Sequence, residues 1–149
     1  MPIRPPEFEH VVEALEPVLR DFPGKLVAID GRDGAGKTTL GRFLAWYFNV
    51  TLVESSLFLV EGQGLTFQLE SLGTLIARRL TKPLPIIVEG VAVLHLLSQL
   101  HRAPDFHIYV RNKSFDGSEA LQESLRSYEQ TYRPSEVANL LLQVSHNDG

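Results

Sequence analysis

An α/β fold with a mostly parallel sheet is predicted by three features of this 149-residue chain. Short apolar runs alternate with helix-periodic segments between residues 26 and 144. The first four runs close on charged residues, Asp30, Glu54, Glu89 and Arg111, which a parallel sheet would gather along one edge. A glycine-rich stretch, GRDGAGKT, lies between the first run and the helix-periodic segment that follows it. The plainer reading of each charge is that it marks where a strand leaves the core.

The elements follow in order. Pro6 to Arg20 reads as an amphipathic helix with Phe8, Val11, Val12, Leu15, Val18 and Leu19 on one face. DFPGK breaks it, and LVAID (26–30) is continuous enough for a strand buried on both sides. Lys37 to Phe48 forms the first crossover helix, with Leu40, Phe43, Leu44 and Tyr47 toward the core and Trp46 and Tyr47 packing it on the sheet. VTLVE (50–54) is the second strand, SSLFLVEGQG a loop, and Thr66 to Leu80 a helix. IIVEG (86–90) and FHIYVR (106–111) are the third and fourth strands, separated by helical VAVLHLLSQL. Asp116 to Tyr132 reads as a polar helix capped by Asp116 or Ser118. RPSE turns either into another short helical stretch or directly into ANLLLQV (138–144), the fifth strand.

No repeat, low-complexity tract or linker divides the chain, so residues 1–149 are expected to form one domain. It consists of an N-terminal helix within 1–24 and a core over 25–149. Composition is that of a globular protein, 44% hydrophobic and 21% charged. A net charge of −4 argues against nucleic-acid and anionic-membrane partners. The absence of cysteine removes disulfides and thiolate metal sites. With no membrane-length apolar run and no signal-like start, a cytoplasmic protein is expected.

GRDGAGKT (31–38) fits G-x-x-x-x-G-K-[ST], the Walker A pattern, in the strand-to-helix context the pattern requires. Gly31, Gly34 and Gly36 can bring bare backbone to an anion, and the helix start adds its positive end. Lys37 can reach β- and γ-phosphates, Thr38 offers a hydroxyl to Mg²⁺, and Thr39 stands near the α-phosphate. The expected ligands are ATP and Mg²⁺. The nucleotide site comprises Gly31, Arg32, Asp33, Gly34, Ala35, Gly36, Lys37, Thr38 and Thr39. A GTP switch fits less well, because RNKSFD places Asp116 one residue beyond an N-K-x-D spacing and no D-x-x-G follows a strand. A motor or transport ATPase needs a longer core. A small phosphotransferase needs one domain and a short lid, here about 112–133.

VAIDGRDGAGKTTLGRFLA resembles the opening of uridine kinase-like P-loop kinases, a group that also includes thymidylate kinase. IIVEG is similar to their mid-chain strand ending in Glu-Gly, and YEQTYRPSEVANLLL to their late tyrosine-proline segment. The resemblance covers most of 26–144, with the glycine loop its specific part. It implies a five-stranded parallel sheet in the order 2-3-1-4-5, flanked by helices, and transfer of the ATP γ-phosphate to a small molecule. It also implies that a carboxylate closing the second strand activates the acceptor. Glu54 occupies that position, where the family has aspartate followed by a phenylalanine-tyrosine pair absent here.

The expected catalytic set is Lys37, Glu54 as base and Arg126 as phosphate clamp, with Thr38 and Glu89 on the metal side. An exchange of roles between Glu54 and Glu89 is the rival. Glu54 is expected beside the loop because the first and second strands are taken to be close. Asp33 would repel phosphate unless it turned toward an acceptor hydroxyl or into solvent. Thymidylate kinases carry an acid at this loop position, facing the acceptor's sugar. Arg111 and Arg133 are further clamp candidates. Arg78 and Arg79 are either an acceptor site or a solvated face. Leu57, Phe58 and Leu59 could line an acceptor pocket, form a homodimer contact or fill the core. Asn147 could meet adenine. The alternative function is a nucleotide-binding regulatory or switch protein without transfer.

Overall fold

Apolar residues at positions 26–29, 86–88 and 108–110 carry the centre of a five-stranded sheet in which every pairing is parallel. The computed structural model describes residues 8–21, 23–82, 84–112 and 117–144. The strands are β1 (Leu26–Gly31), β2 (Thr51–Glu54), β3 (Ile86–Gly90), β4 (Phe106–Asn112) and β5 (Leu140–Val144). Their order is β2-β3-β1-β4-β5, with β1 in the middle and buried along its whole length. The register sets Glu54 beside Glu89, Ile29 beside Glu89, and Asp30 between Gly90 and Tyr109.

Side chains alternate across the sheet, so each face has its own core. Val27, Ile29, Ile87, Ile108 and Val110 meet α1 (Phe8–Leu19) and α2 (Lys37–Phe48) through Val11, Leu15, Leu40 and Leu44. Leu26, Ala28, Ile86 and Val88 meet α3 (Leu69–Thr81) and α4 (Val93–Gln99) through Leu72, Ile76, Leu96 and Leu97. Each such Leu or Ile, removed from water, contributes about 1.5–3 kcal/mol before chain entropy is subtracted. A third cluster joins Val91 and Ala92 to Leu125 and Tyr128 of α5 (Glu119–Tyr132). The short α6 (Pro134–Val137) leads into β5.

Helix boundaries follow local chemistry. α2 ends where Asn49 adopts a left-handed conformation, which Asn tolerates better than most residues. The loop after β2 starts with a 3₁₀ turn, Ser55–Phe58, and is closed by a bridge between Leu59 and Phe67. The expected helix from Thr66 begins only at Leu69, because Phe67 is held in that bridge.

Trp46 and Tyr47 depart from the packing expected of them. Trp46 is 77% exposed and Tyr47 also faces outward. They lie on the flank of α2, where Tyr47 stacks on Phe43 and Phe48, while Leu40 and Leu44 hold α2 to the sheet. Leu57 is exposed, whereas Phe58 and Leu59 pack on the core. In the segment expected as a lid, about 112–133, α5 packs through Leu125 and Tyr128 on Val91 and Ala92, and residues 113–116 lie outside the described residues. The proposed Asp116 cap and Asn147 also lie outside them. Among the described residues, no helix is long and apolar enough to cross a membrane.

Candidate active site

The loop between β1 and α2 adopts the backbone that its glycines permit. Gly31, Gly34 and Gly36 have φ of 151°, 78° and 102°. Gly31 has no room for a side chain, since a Cβ there would sit 2.4 Å from the carbonyl oxygen of Val110. Gly36 occupies the position before α2, so the first turn of the helix, with its four amides lacking helical partners, starts directly at Lys37. The Lys37 side chain folds back across the loop, and its ammonium donates to the Arg32 carbonyl at 2.7 Å. Burial pulls Lys37 below its ordinary pKa, opposed by the charges of Glu89, Asp30 and Asp33.

At the end of β3, Glu89 is 2% exposed and accepts a hydrogen bond from the Thr38 hydroxyl at 2.7 Å. Burial raises its carboxyl above the usual range, against the opposing pull of Thr38 and Lys37. Gly41 lets α2 approach: a Cβ there would lie 3.5 Å from Glu89 Cγ and 3.1 Å from the Leu52 side chain. Glu54 stands one strand further out. β3 lies between β1 and β2, in the order expected, and the register places Glu54 directly beside Glu89. The Glu54 carboxylate pairs with Arg42 of α2 at 3.2 Å. The sequence analysis did not single out Arg42, and its one available signal is its place one helical turn after Thr38.

The remaining charges divide sharply. Asp30 is fully buried rather than displayed at the rim. It accepts the Gly31 amide at 2.9 Å, the Val93 amide at 3.4 Å and the Tyr128 hydroxyl at 2.5 Å. His107 Nε2 lies 3.4 Å away without hydrogen-bond geometry. Burial, followed by the Asp30 charge, raises the Tyr128 phenol far above its ordinary value. Asp33 is half-buried: its Oδ2 accepts the backbone amide of Ser118 at 2.9 Å, while its Oδ1 is buried without a hydrogen-bond partner among the described residues. The Ser118 contact explains why an acid is tolerated here: it caps the start of α5, where the Ser118 side chain makes no capping bond.

Arg126 is exposed and does not line the cavity beside the loop. The arginines found there are Arg32 and Arg111, which border a cavity of about 360 Å³ with Ala35, Tyr109, Asn112 and Glu129. Arg32 donates through Nε and Nη2 to both oxygens of Glu129, at 2.9 and 2.8 Å. Arg133 pairs with Glu136 at 3.8 Å on the surface. Arg78 and Arg79 lie with Thr51, the first residue of β2, at the opposite end of the strands from the loop. Thr39 is exposed on the first turn of α2.

Tyr128 and Glu129, like Arg42, had no role assigned from the sequence. The signal for their helix was present, since Leu121, Leu125, Tyr128 and Tyr132 form an apolar stripe of helical period on α5.

No protein-family model matches the sequence, and no curated protein matches it. Solved structures do resemble the fold. A possible uridine kinase from Bacillus stearothermophilus superposes with a TM-score of 0.67, at 15% identity, covering 91% of this chain and 97% of its own. A sugar kinase from Janibacter sp. HTCC2649 gives a TM-score of 0.59, at 17% identity, over 81% of this chain and 86% of its own. The fold is P-loop kinase-like, with the 2-3-1-4-5 parallel sheet expected from the resemblance in sequence.

Proposed function

We propose that this protein is an ATP- and Mg²⁺-dependent phosphotransferase that moves the γ-phosphate to a small-molecule acceptor, with nucleoside-like compounds the first candidates. One observation carries the reading. Three glycines with positive φ, a buried lysine bridging the loop, and a threonine–carboxylate pair converge at the end of the central strand. Thr38 Oγ1 and Glu89 Oε2 are hard oxygen donors 2.7 Å apart, a pair that suits Mg²⁺, which takes few protein ligands and keeps much of its water. When bound, the ion would neutralise charge on the phosphates.

In this reading Lys37 exchanges the Arg32 carbonyl for phosphate oxygens. The loop amides orient the chain, and the cavity beside Arg32 and Ala35 receives the rest of the nucleotide. Glu54 takes the acceptor proton, supported by its place next to Glu89 in the register and by the engagement of Glu89 with Thr38. Arg42, paired with Glu54 at 3.2 Å, orients its carboxylate. Exchange of the two carboxylate roles remains the rival assignment.

A second reading, nucleotide binding without transfer, draws on the exposed Arg126 and on the fastening of α5 to the loop by Asp33 and Tyr128. One experiment addresses both. MgATP uptake is measured by calorimetry, then ADP formation is followed with a panel of nucleosides, sugars and nucleotides. The transfer reading expects an acceptor that raises turnover above the rate with water. It also expects Lys37→Ala to abolish binding, and Glu54→Gln to keep binding but lose turnover. Binding with no productive acceptor would leave the regulatory reading standing, and preference for GTP over ATP would favour a switch.

A further inference from the structure

Arg32 projects from the glycine loop into the wall of the 360 Å³ cavity, with Arg111 and Tyr109 in the same wall. Its guanidinium is held by Glu129 through two parallel hydrogen bonds, at 2.9 and 2.8 Å. A guanidinium fork meets carboxylate and phosphate in the same bidentate geometry. Glu129 thus holds Arg32 as a phosphate would, on a loop whose backbone is shaped around an anion.

Breaking this pair would not strand a buried charge. The side chains are 24% and 27% exposed, so water reaches both partners. Glu129 also accepts the Tyr109 hydroxyl at 3.1 Å and lies within electrostatic reach of Arg111. If Arg32 left, Glu129 would keep a hydrogen-bond donor and a neighbouring cation. Glu129 is thus paired with Arg32 and near the charge of Arg111, beside the place where a second anion would enter.

Resting on the reading that a triphosphate enters the loop, we propose that Arg32 is a phosphate-contacting side chain stored on Glu129. The entering triphosphate takes Arg32 over, and Glu129 passes to Arg111. Glu129 is then a competing counter-ion that lowers nucleotide affinity, a positioning residue that acts through Arg32. The cation beyond Lys37 comes from the loop itself rather than from Arg126.

The test is a double-mutant cycle with MgATP as the calorimetric probe, on the wild type, Glu129→Gln, Arg32→Gln and the double variant. Thermal melts establish that each is folded. Glutamine at 129 keeps the shape and a hydrogen-bond acceptor while removing the charge. The expected result is roughly fivefold tighter MgATP binding in Glu129→Gln, the upper end for a partly exposed pair. Arg32→Gln should bind more weakly than the wild type, and adding Glu129→Gln to it should change nothing. Unchanged or weaker binding in Glu129→Gln overturns the proposal. So does equal tightening in the absence of Arg32, which would reflect only the loss of a negative charge. If none of the four proteins takes up MgATP, the nucleotide reading of the loop fails and this proposal fails with it. If the wild type binds and the cycle is flat, this proposal alone is lost.

Discussion

Replacing Tyr128 with phenylalanine removes one oxygen atom from the molecule, and its expected effect can be built from that atom's contacts. The hydroxyl donates to Asp30 at 2.5 Å and accepts the Leu94 amide at 3.1 Å. Asp30 is fully buried, so no water can replace the lost donor. A hydrogen bond to a buried charged group is worth about 1.5–3 kcal/mol, and the Leu94 amide adds the smaller cost of an orphaned donor. The Gly31 amide, at 2.9 Å, keeps Asp30 from being wholly unpartnered, which places the total at roughly 2–4 kcal/mol. With a urea m-value of about 2 kcal/mol/M, the unfolding midpoint should fall by about 1–2 M. Equilibrium urea unfolding followed by circular dichroism measures it. Asp30→Asn supplies the control, since in that background Tyr128→Phe should cost about half as much or less. A loss below about 0.5 kcal/mol in the wild-type background would refute the claim that Tyr128 fastens α5 to the central strand.

Other expectations concern the loop and the surface. Gly31→Ala forces a Cβ to 2.4 Å from the Val110 carbonyl oxygen at a φ of 151°, and should cost about 2–4 kcal/mol in urea unfolding along with any nucleotide binding. Burial raises the Glu89 carboxyl above its unfolded value of 4.5, so the native state holds its proton to higher pH than the unfolded chain does. That contribution to stability is present below 4.5 and declines as pH rises through the raised native value. Glu89→Gln should therefore gain relative to the wild type from about pH 4.5 upward in unfolding experiments across pH. A flat difference would contradict the burial argument. Glu89→Gln should also remove the dependence of ATP binding on Mg²⁺, measured by calorimetry with and without the ion. Trp46→Ala, at a side chain 77% exposed, should leave stability within about 0.5 kcal/mol, and a larger loss would restore the packing role expected from its sequence position.

Much of the fold was legible because its signals are local. Apolar runs at 26–29 and 86–88 can only be strands buried on both faces, and a glycine loop followed by lysine and threonine reads the same on paper as in space. The pairing of Thr38 with Glu89 was legible in kind, since both stand at the ends of elements that a parallel sheet aligns. Other features depend on neighbours far away in sequence. Asp30, Glu54 and Glu89 look alike in the chain, each an acid closing an apolar run. One is sealed under a tyrosine 98 residues later, one meets an arginine on the adjoining helix, and one meets the loop threonine. Arg126 was preferred over Arg111 and Arg133 from its place in the expected lid helix, but the apolar stripe of α5 turns Glu129 toward the loop and leaves Arg126 exposed.

The sequence by itself determined the α/β alternation, the glycine loop with its positive-φ backbone and the acids at the strand ends, because backbone freedom and side-chain period are properties of neighbouring residues. Only the tertiary structure decided which acid is buried, which is paired and which arginine reaches the loop. Those outcomes follow from contacts made within the strand order that the resemblance had implied, with β3 between β1 and β2, and from the docking of α5 across the end of the central strand, which no short stretch of sequence specifies.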